Sequence, residues 1–270
     1  MVDPTFSGKN ILISGGSSGI GFALAKKLIP AGANVSLLAR RKALLDSACR
    51  DLEALRTSGE QVIDAFAADV SDFHSLEKVF NRIHTSFDVL INCAGIAYPG
   101  EFINLDIKIF EDVMNINYLG TVNLTKLVLP GMLEKRSGYI VNVSSLAALV
   151  GIYGYTAYAP SKYAVRGFSR CLRAELKAYG IDVSVVFPPD TDTPQLAFEH
   201  SIIPEITRKI NSTGSVMSPD KVAEAVLRGI SRRQFTIVPG WEGKLLYLFP
   251  SIFGRYFYHI AINESKKSLR

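Results

Sequence analysis

Cysteine is scarce in this sequence: Cys49, Cys93 and Cys171 are an odd number at wide spacing. That count gives no disulfide framework and suits a reducing compartment, so a cytoplasmic location is expected. Histidine is almost as rare, and His74, His84, His200 and His259 show no metal-ligand spacing with each other or with the cysteines. No metal is expected. The chain also has no Ser/Gly-rich or Pro-rich linker, which argues for one folded domain rather than two. No basic segment followed by an apolar run and a cleavage site opens the sequence, so secretion is not expected. Nor is there an unbroken apolar run of about twenty residues, the length that a membrane-crossing helix needs.

The net charge is +5 and the isoelectric point about 9.0, but the lysines and arginines are dispersed, with no basic run interleaved with aromatics. A nucleic-acid partner is therefore not expected. The same mild positive charge suits phosphate-bearing cofactors and anionic membrane surfaces.

With 48% hydrophobic and 20% charged residues, there is ample material for a core. Short apolar runs begin near Ile11, Val35, Ala65, Asp88, Tyr139, Val183 and Phe235. Between them lie amphipathic stretches at residues 21–31, 44–55, 75–84 and 221–230. Such alternation predicts a single doubly wound Rossmann domain: a parallel sheet of about seven strands with helices on both faces, α/β in class. Residues 105–135 have the length of one extended helix, with a kink expected at Pro130-Gly131. Residues 191–218 lack a clean period and are expected to form a substrate lid or an irregular excursion, ending at a helix capped by Ser218 with Pro219 at its first position. The catalytic domain then covers residues 1–240. The aromatic-rich extension at 241–270, broken by Pro250 and Gly254, suits either an interfacial membrane helix or a segment packed on the domain.

Directly after the first strand comes Ser14-Gly15-Gly16-Ser17-Ser18-Gly19-Ile20-Gly21. A glycine-rich turn entering a helix aims backbone N–H groups and the positive end of the helix dipole at a pyrophosphate. Taken alone it is equally well a tight strand-to-helix connection. Asp69 and Asn92-Cys93-Ala94-Gly95 fall at the carboxyl ends of the third and fourth strands, where open parallel sheets bind ligands. The second strand ends in Ala39-Arg40-Arg41, without the acid that would accept hydrogen bonds from a ribose 2'-hydroxyl. An arginine there grips a 2'-phosphate, so NADPH is expected over NADH, unless Arg40 is an ordinary surface arginine.

These motifs, together with Asn117 inside Asn115-Ile116-Asn117, Ser145, and Tyr158-Ala159-Pro160-Ser161-Lys162, occur in the order seen in classical short-chain dehydrogenases/reductases, which the chain resembles over nearly its whole length. The resemblance implies a catalytic set of Asn117, Ser145, Tyr158 and Lys162. It implies NADP(H) contacts from Gly15, Ser17, Ser18, Gly19, Ile20 and Gly21 in the glycine turn, and from Arg40 and Arg41 after the second strand. Asp69, Val70, Asn92, Ala94 and Gly95 after the third and fourth strands belong to the same set, as do Tyr158, Lys162, Pro188, Thr191 and Thr193.

The chemistry also follows from spacing. Tyr158 and Lys162 are four apart in a helical stretch and share one face. A cation within a few ångströms lowers the phenol pKa, which fits Tyr158 as the general acid that protonates a carbonyl oxygen as hydride arrives. Ser145 lies thirteen positions before Tyr158, the separation that the resembled family shows, and by that resemblance can donate to the same oxygen, with neighbouring Ser144 as the rival. By resemblance, Asn117 would hold a water in a proton relay from Lys162, and Thr191 or Thr193 would meet the nicotinamide carboxamide. Pro189 stands where the family usually has glycine. This stiffens the turn and removes one donor.

The string Pro188-Pro189-Asp190-Thr191-Asp192-Thr193-Pro194, with the glycine turn and Asn117-Tyr118-Leu119-Gly120, is similar to the 3-ketodihydrosphingosine reductase subfamily. That similarity implies a long-chain lipophilic ketone as substrate. Steroid, retinoid or ketoacyl carbonyls and a non-catalytic cofactor sensor remain open. It further implies a homo-oligomer, dimer or tetramer, built on the helix carrying Tyr158. Membrane contact, if made, would be peripheral, through the C-terminal segment, on the cytoplasmic face of a membrane, the endoplasmic reticulum in a eukaryote.

Overall fold

A computed structural model describes residues 4–268 apart from His84 and Thr213. Among these residues the strands are β1 (Asn10–Ser14), β2 (Asn34–Ala39), β3 (Ile63–Ala67), β4 (Val89–Asn92), β5 (Gly138–Val143), β6 (Ile181–Val186) and β7 (Thr236–Ile237). The helices are α1 (Gly19–Leu28), α2 (Lys42–Glu53), α3 (Phe73–Phe80), α4 (Ile107–Met114), α5 (Gly120–Lys135), α6 (Tyr158–Leu176), α7 (Pro194–Ile202), α8 (Glu205–Asn211), α9 (Pro219–Ser231), α10 (Trp241–Leu248) and α11 (Pro250–Ser268).

All seven strands run parallel in the order β3-β2-β1-β4-β5-β6-β7. Alternate side chains therefore feed opposite layers. Ile11 and Ile13 of β1 pack with α1, α2 and α9, whereas Leu12 faces a second core with α3, α5 and α6. Continuously apolar strands are needed because helices cover both faces, which makes this the doubly wound α/β Rossmann arrangement expected. The chain reverses its order of winding between β1 and β4, so the loops after those strands open a crevice at the carboxyl edge.

Several boundaries differ from the sequence reading, for identifiable reasons. β3 starts at Ile63 rather than Ala65 and ends at Ala67, leaving Asp69 and Val70 in the following loop. Four helices begin two residues before their apolar periodicity does, at Gly19, Lys42, Phe73 and Pro219. In α3 and α9 the first turn is fixed by a side-chain cap rather than by core contacts. Asp72 accepts from Ser75 N at 3.0 Å, and Ser218 caps α9 with Pro219 next, as its sequence suggests. The predicted end of α3 at His84 lies outside the described residues. The stretch 105–135 is nearly continuous helix, but Pro130 sits inside α5, and the irregularity is a π-helical turn at Asn115–Leu119. The segment read as aperiodic contains α7 and α8. Thr193 caps α7 with Pro194 at its first position, the same pattern that identifies α9.

Candidate active site and cofactor cleft

A cavity of about 1110 Å³ opens along the carboxyl edge of the sheet. One end is floored by the glycine turn. Gly15 and Gly19 adopt φ of +68° and +56°, conformations that side-chained residues resist. A Cβ on Gly15 would stand 2.9 Å from the Ala94 backbone, and one on Gly21 would run into the carbonyl of Gly15. The turn is thus closed against β4 and α1 by backbone contact. Ser18, the cap residue of α1, makes no side-chain cap bond, so the first N–H groups of the helix keep their donors for an anion. Arg40 and Arg41 line the same end, and Arg40 pairs with Asp69 at 3.6 Å. This end fits a dinucleotide phosphate chain.

Ser17, Ser18, Gly19, Ile20, Val70, Ala94 and Gly95 reach the cavity wall, as do Pro188, Thr191 and Thr193 from the far side. Gly21, Asp69, Asn92 and Asn117 do not. They belong to the layer that holds the wall in place. Asn92 Nδ2 donates to Asn142 Oδ1 at 2.9 Å and ties β4 to β5. Asp69 accepts from Ser71 N and Oγ and bends the loop after β3. Asn117 Oδ1 accepts from Ile96 N at 2.8 Å, and its Nδ2 donates to Ile96 O and Ser161 Oγ, both at 2.9 Å. The π-helical turn presents Asn117 to both partners, so it pins the loop after β4 against α6. The backbone of Gly95 fits between Asn117 Oδ1 and Lys162 Nζ, each little more than 3 Å from where a Cβ would be.

The predicted catalytic residues Ser145, Tyr158 and Lys162 come together where β5, α6 and the loop after β6 meet. Tyr158 opens α6, and Lys162, one turn on, is 5% exposed with Nζ donating to Val143 O at 3.1 Å. The ammonium lies 5.7 Å from the Tyr158 ring centroid. Burial pushes the Lys162 pKa down to about 8, opposed in part by neighbouring Cys93 and Glu199. Burial likewise pushes the Cys93 thiol up to about 11. Tyr158 differs from the sequence expectation: burial, aided by the negative charge of Glu199, holds its phenol well above the ordinary value, and its hydrogen bond with Ser145 opposes this only in part. Desolvation outweighs the neighbouring cation here. The result keeps Tyr158 protonated, the form that a ketone reduction consumes.

Ser145 is the cap of a short 3-10 turn and accepts from Ala147 N at 3.1 Å, which leaves its hydroxyl proton directed to the Tyr158 side of the cavity. Ser144 also lines the cavity, but its hydroxyl donates to Lys162 O at 2.9 Å and so braces α6. Thr191 donates to Pro189 O at 2.8 Å, whereas Thr193 lies over Gly19.

The short chain dehydrogenase family model matches residues 9–201. The chain is a member of that family. Among curated proteins it is 38% identical over 257 residues to the 3-ketodihydrosphingosine reductase of Mus musculus, covering 91% of this chain and 77% of that one. It is also 38% identical to the protein of the same name from Dictyostelium discoideum over 247 residues, 85% of this chain and 74% of the other. Solved neighbours include a Sphingobium yanoikuyae short-chain dehydrogenase in complex with NADPH, with TM-score 0.77, 27% identity, and coverage of 92% of this chain and 95% of that one. Another is a 3-oxoacyl-[acyl-carrier protein] reductase from Brucella melitensis with bound NAD, with TM-score 0.75, 28% identity, and coverage of 88% and 91%. This short-chain dehydrogenase is an oxidoreductase of ketone and alcohol groups, using a nicotinamide cofactor.

Two features of the site carry no sequence motif. Tyr155 and Glu199 both line the cavity and are hydrogen bonded at 2.7 Å although 44 positions apart. Beyond them the wall is completed by Leu246, Phe253, Tyr256 and Phe257 of α10 and α11. Phe253 and Phe257 pack against Leu149, Val150 and Phe187, while Trp241, Leu248 and Ile252 stay largely exposed. The C-terminal segment is therefore both docked on the domain and apolar on its outer side. Among the described residues, no helix is long and apolar enough to cross a membrane.

Proposed function

We propose that this protein reduces the 3-keto group of a long-chain sphingoid base with NADPH, giving the corresponding alcohol. The observation carrying this reading is the cavity itself: it runs without interruption from Arg40 and Arg41, past Ser145, Tyr158 and Lys162, to the apolar side chains of α10 and α11. Its volume exceeds that of an ordinary small-ligand pocket, roughly 300–1,000 Å³, and leaves room for an acyl chain beside a dinucleotide. The names of the curated relatives point the same way.

When bound, the nicotinamide supplies the hydride. Ser145 donates to the ketone oxygen and orients it; Tyr158 releases its proton to that oxygen as negative charge develops. Lys162 holds a positive charge beside the phenol and stabilises the phenolate left behind, and its ammonium would hold the ribose hydroxyls of the bound cofactor. Arg40 and Arg41 take the 2'-phosphate, with Arg40 leaving Asp69, which supports NADPH over NADH. Thr191 and Thr193 frame the carboxamide end. Asn117 acts by fixing the loop at Ile96 and the start of α6. Residues 191–218 form the substrate lid through α7 and α8. The exposed apolar side of α10 and α11, with Lys244 and Arg255 nearby in sequence, provides peripheral contact with a membrane that holds the substrate, on its cytoplasmic face. Self-association through α6 completes the assembly, and light scattering of the purified protein reads its dimeric or tetrameric mass.

The test is NADPH oxidation by purified protein with 3-ketodihydrosphingosine, in micelles and again in anionic vesicles, beside a steroid ketone and a short ketoacyl thioester. Strong preference for the sphingoid ketone, with vesicles serving at least as well as micelles, is expected. Turnover of only another ketone would remove the sphingoid reading and keep the catalytic one.

A further inference from the structure

Charge is sorted along the cavity. Arg40, Arg41 and Lys162 line the cofactor end and the reacting centre, whereas Asp190, Glu199 and Glu242 line the remainder. Reduction of an uncharged ketone does not call for acids there. Glu199 is the most demanding of them, because it is 7% exposed and projects from α7 into the cavity wall beside the reacting tyrosine. Its Oε2 accepts from the Tyr155 hydroxyl at 2.7 Å, its Oε1 from Gln195 Nε2 at 3.1 Å. The Tyr155 ring is 5.6 Å from the Tyr158 ring, which places the carboxylate one side chain beyond the proton donor.

Both of these partners are neutral. A carboxylate has about four acceptor positions, so two remain for a ligand. Burying a carboxylate away from water is costly unless a cation faces it. His200, the next residue on α7, has its side chain on the exposed side of the helix and does not enter the cavity wall. Lys162 is committed to Val143 O and the tyrosine. A cation arriving with the substrate would complete the site.

The sphingoid substrate of the proposed function carries an amine on the carbon next to its ketone. Steroid, retinoid and ketoacyl carbonyls carry no such charge. We infer that Glu199, seated by Tyr155 and Gln195, receives the ammonium group of the substrate and thereby selects 2-amino ketones over uncharged ketones of equal chain length. Asp190 adds negative potential on the same side. The ion pair would also fix which carbonyl face meets Tyr158, since the ammonium is two bonds from the carbonyl carbon. This inference rests on the sphingoid reading and adds a residue and a charge to it.

The experiment compares kcat/KM for a long-chain 2-amino-3-ketone with that for the 3-ketone of the same length lacking the amine, in wild type and Glu199→Gln. Wild type should favour the amine by about 10- to 100-fold, the range of one hydrogen bond to a charged group. In Glu199→Gln that ratio should fall towards one. A ratio retained in the variant, or absent in wild type while both ketones are reduced, overturns the inference and leaves the ketone reductase standing. Wild type that reduces neither ketone overturns both. A measurement free of any folding defect uses wild type alone: a long-chain primary amine should inhibit at least about tenfold better than the alcohol of the same length, and equal inhibition contradicts the ammonium site.

Discussion

The two ends of the cleft are built differently. The cofactor end is made of backbone: a glycine turn closed against Ala94, a bare helix N-terminus, and strand ends cross-braced by Asn92, Asn142 and Thr125. Behind it, Leu12, Leu24 and Leu37 are fully buried. The substrate end is made of side chains carried by α7, α10 and α11, outside the sheet, with Trp241 70% and Ile252 65% exposed. A backbone site recognises what is constant in its ligand. A side-chain site on peripheral helices can be rewritten without disturbing the fold, so substrate identity resides there.

Tyr158→Phe should break this division most strongly, because it removes only the proton donor where the two ends meet. kcat/KM for ketone reduction should fall by about 10²- to 10⁴-fold, while NADPH affinity, read by fluorescence titration, stays within a few fold. Retained turnover would take catalysis away from Tyr158.

Arg40→Asp tests the cofactor end alone. The ratio of kcat/KM with NADPH to that with NADH should drop by about 10- to 100-fold, as charge-assisted hydrogen bonds to a phosphate are replaced by repulsion. KM for the ketone should hardly move. An unaffected cofactor ratio would mean that Arg41 or another group holds the 2'-phosphate.

A smaller and graded effect should come from pH. Lys162 is held below its ordinary 10.5, at about 8, by burial, so its positive charge is lost as pH rises through about 8. kcat/KM for NADPH, which reports the free enzyme, should decline through that point. Lys162→Arg, which stays charged, should show no inflection there. For folding the sign is opposite to that of a favourable pair: the cost of burying the cation is full below about 8 and is relieved as pH approaches 10.5. Urea unfolding of wild type against Lys162→Met should show wild type gaining relative stability across that interval.

Legibility follows the same division. Ser145, Tyr158 and Lys162 could be singled out as candidates because their spacing is set within one strand end and one helix, and Arg40 because it follows a strand directly. The sheet was readable because strands covered on both faces must be apolar throughout. Asn92, Asp69 and Asn117 could be placed beside the cleft but their hydrogen-bond partners could not, since which way a buried amide turns depends on groups such as Asn142 and Ser161 in other elements. The π-helical turn leaves no mark distinguishing it from ordinary helix. Glu199 and Tyr155 were invisible: a single acid and a single tyrosine, far apart in the chain, meet only when α7 folds against the loop that precedes α6. The capping pair Thr193-Pro194 was a signal for α7, the same as Ser218-Pro219 for α9, and only the second was read.

The most direct measurement follows the hydride. Purified protein is given NADPH carrying deuterium at both C4 positions of the nicotinamide, together with 3-ketodihydrosphingosine, and the product is examined by mass spectrometry. One deuterium bound at C3 of the new alcohol, in step with NADPH consumed, is the predicted result. NADPH consumption without labelled alcohol, or no consumption at all, would contradict the account.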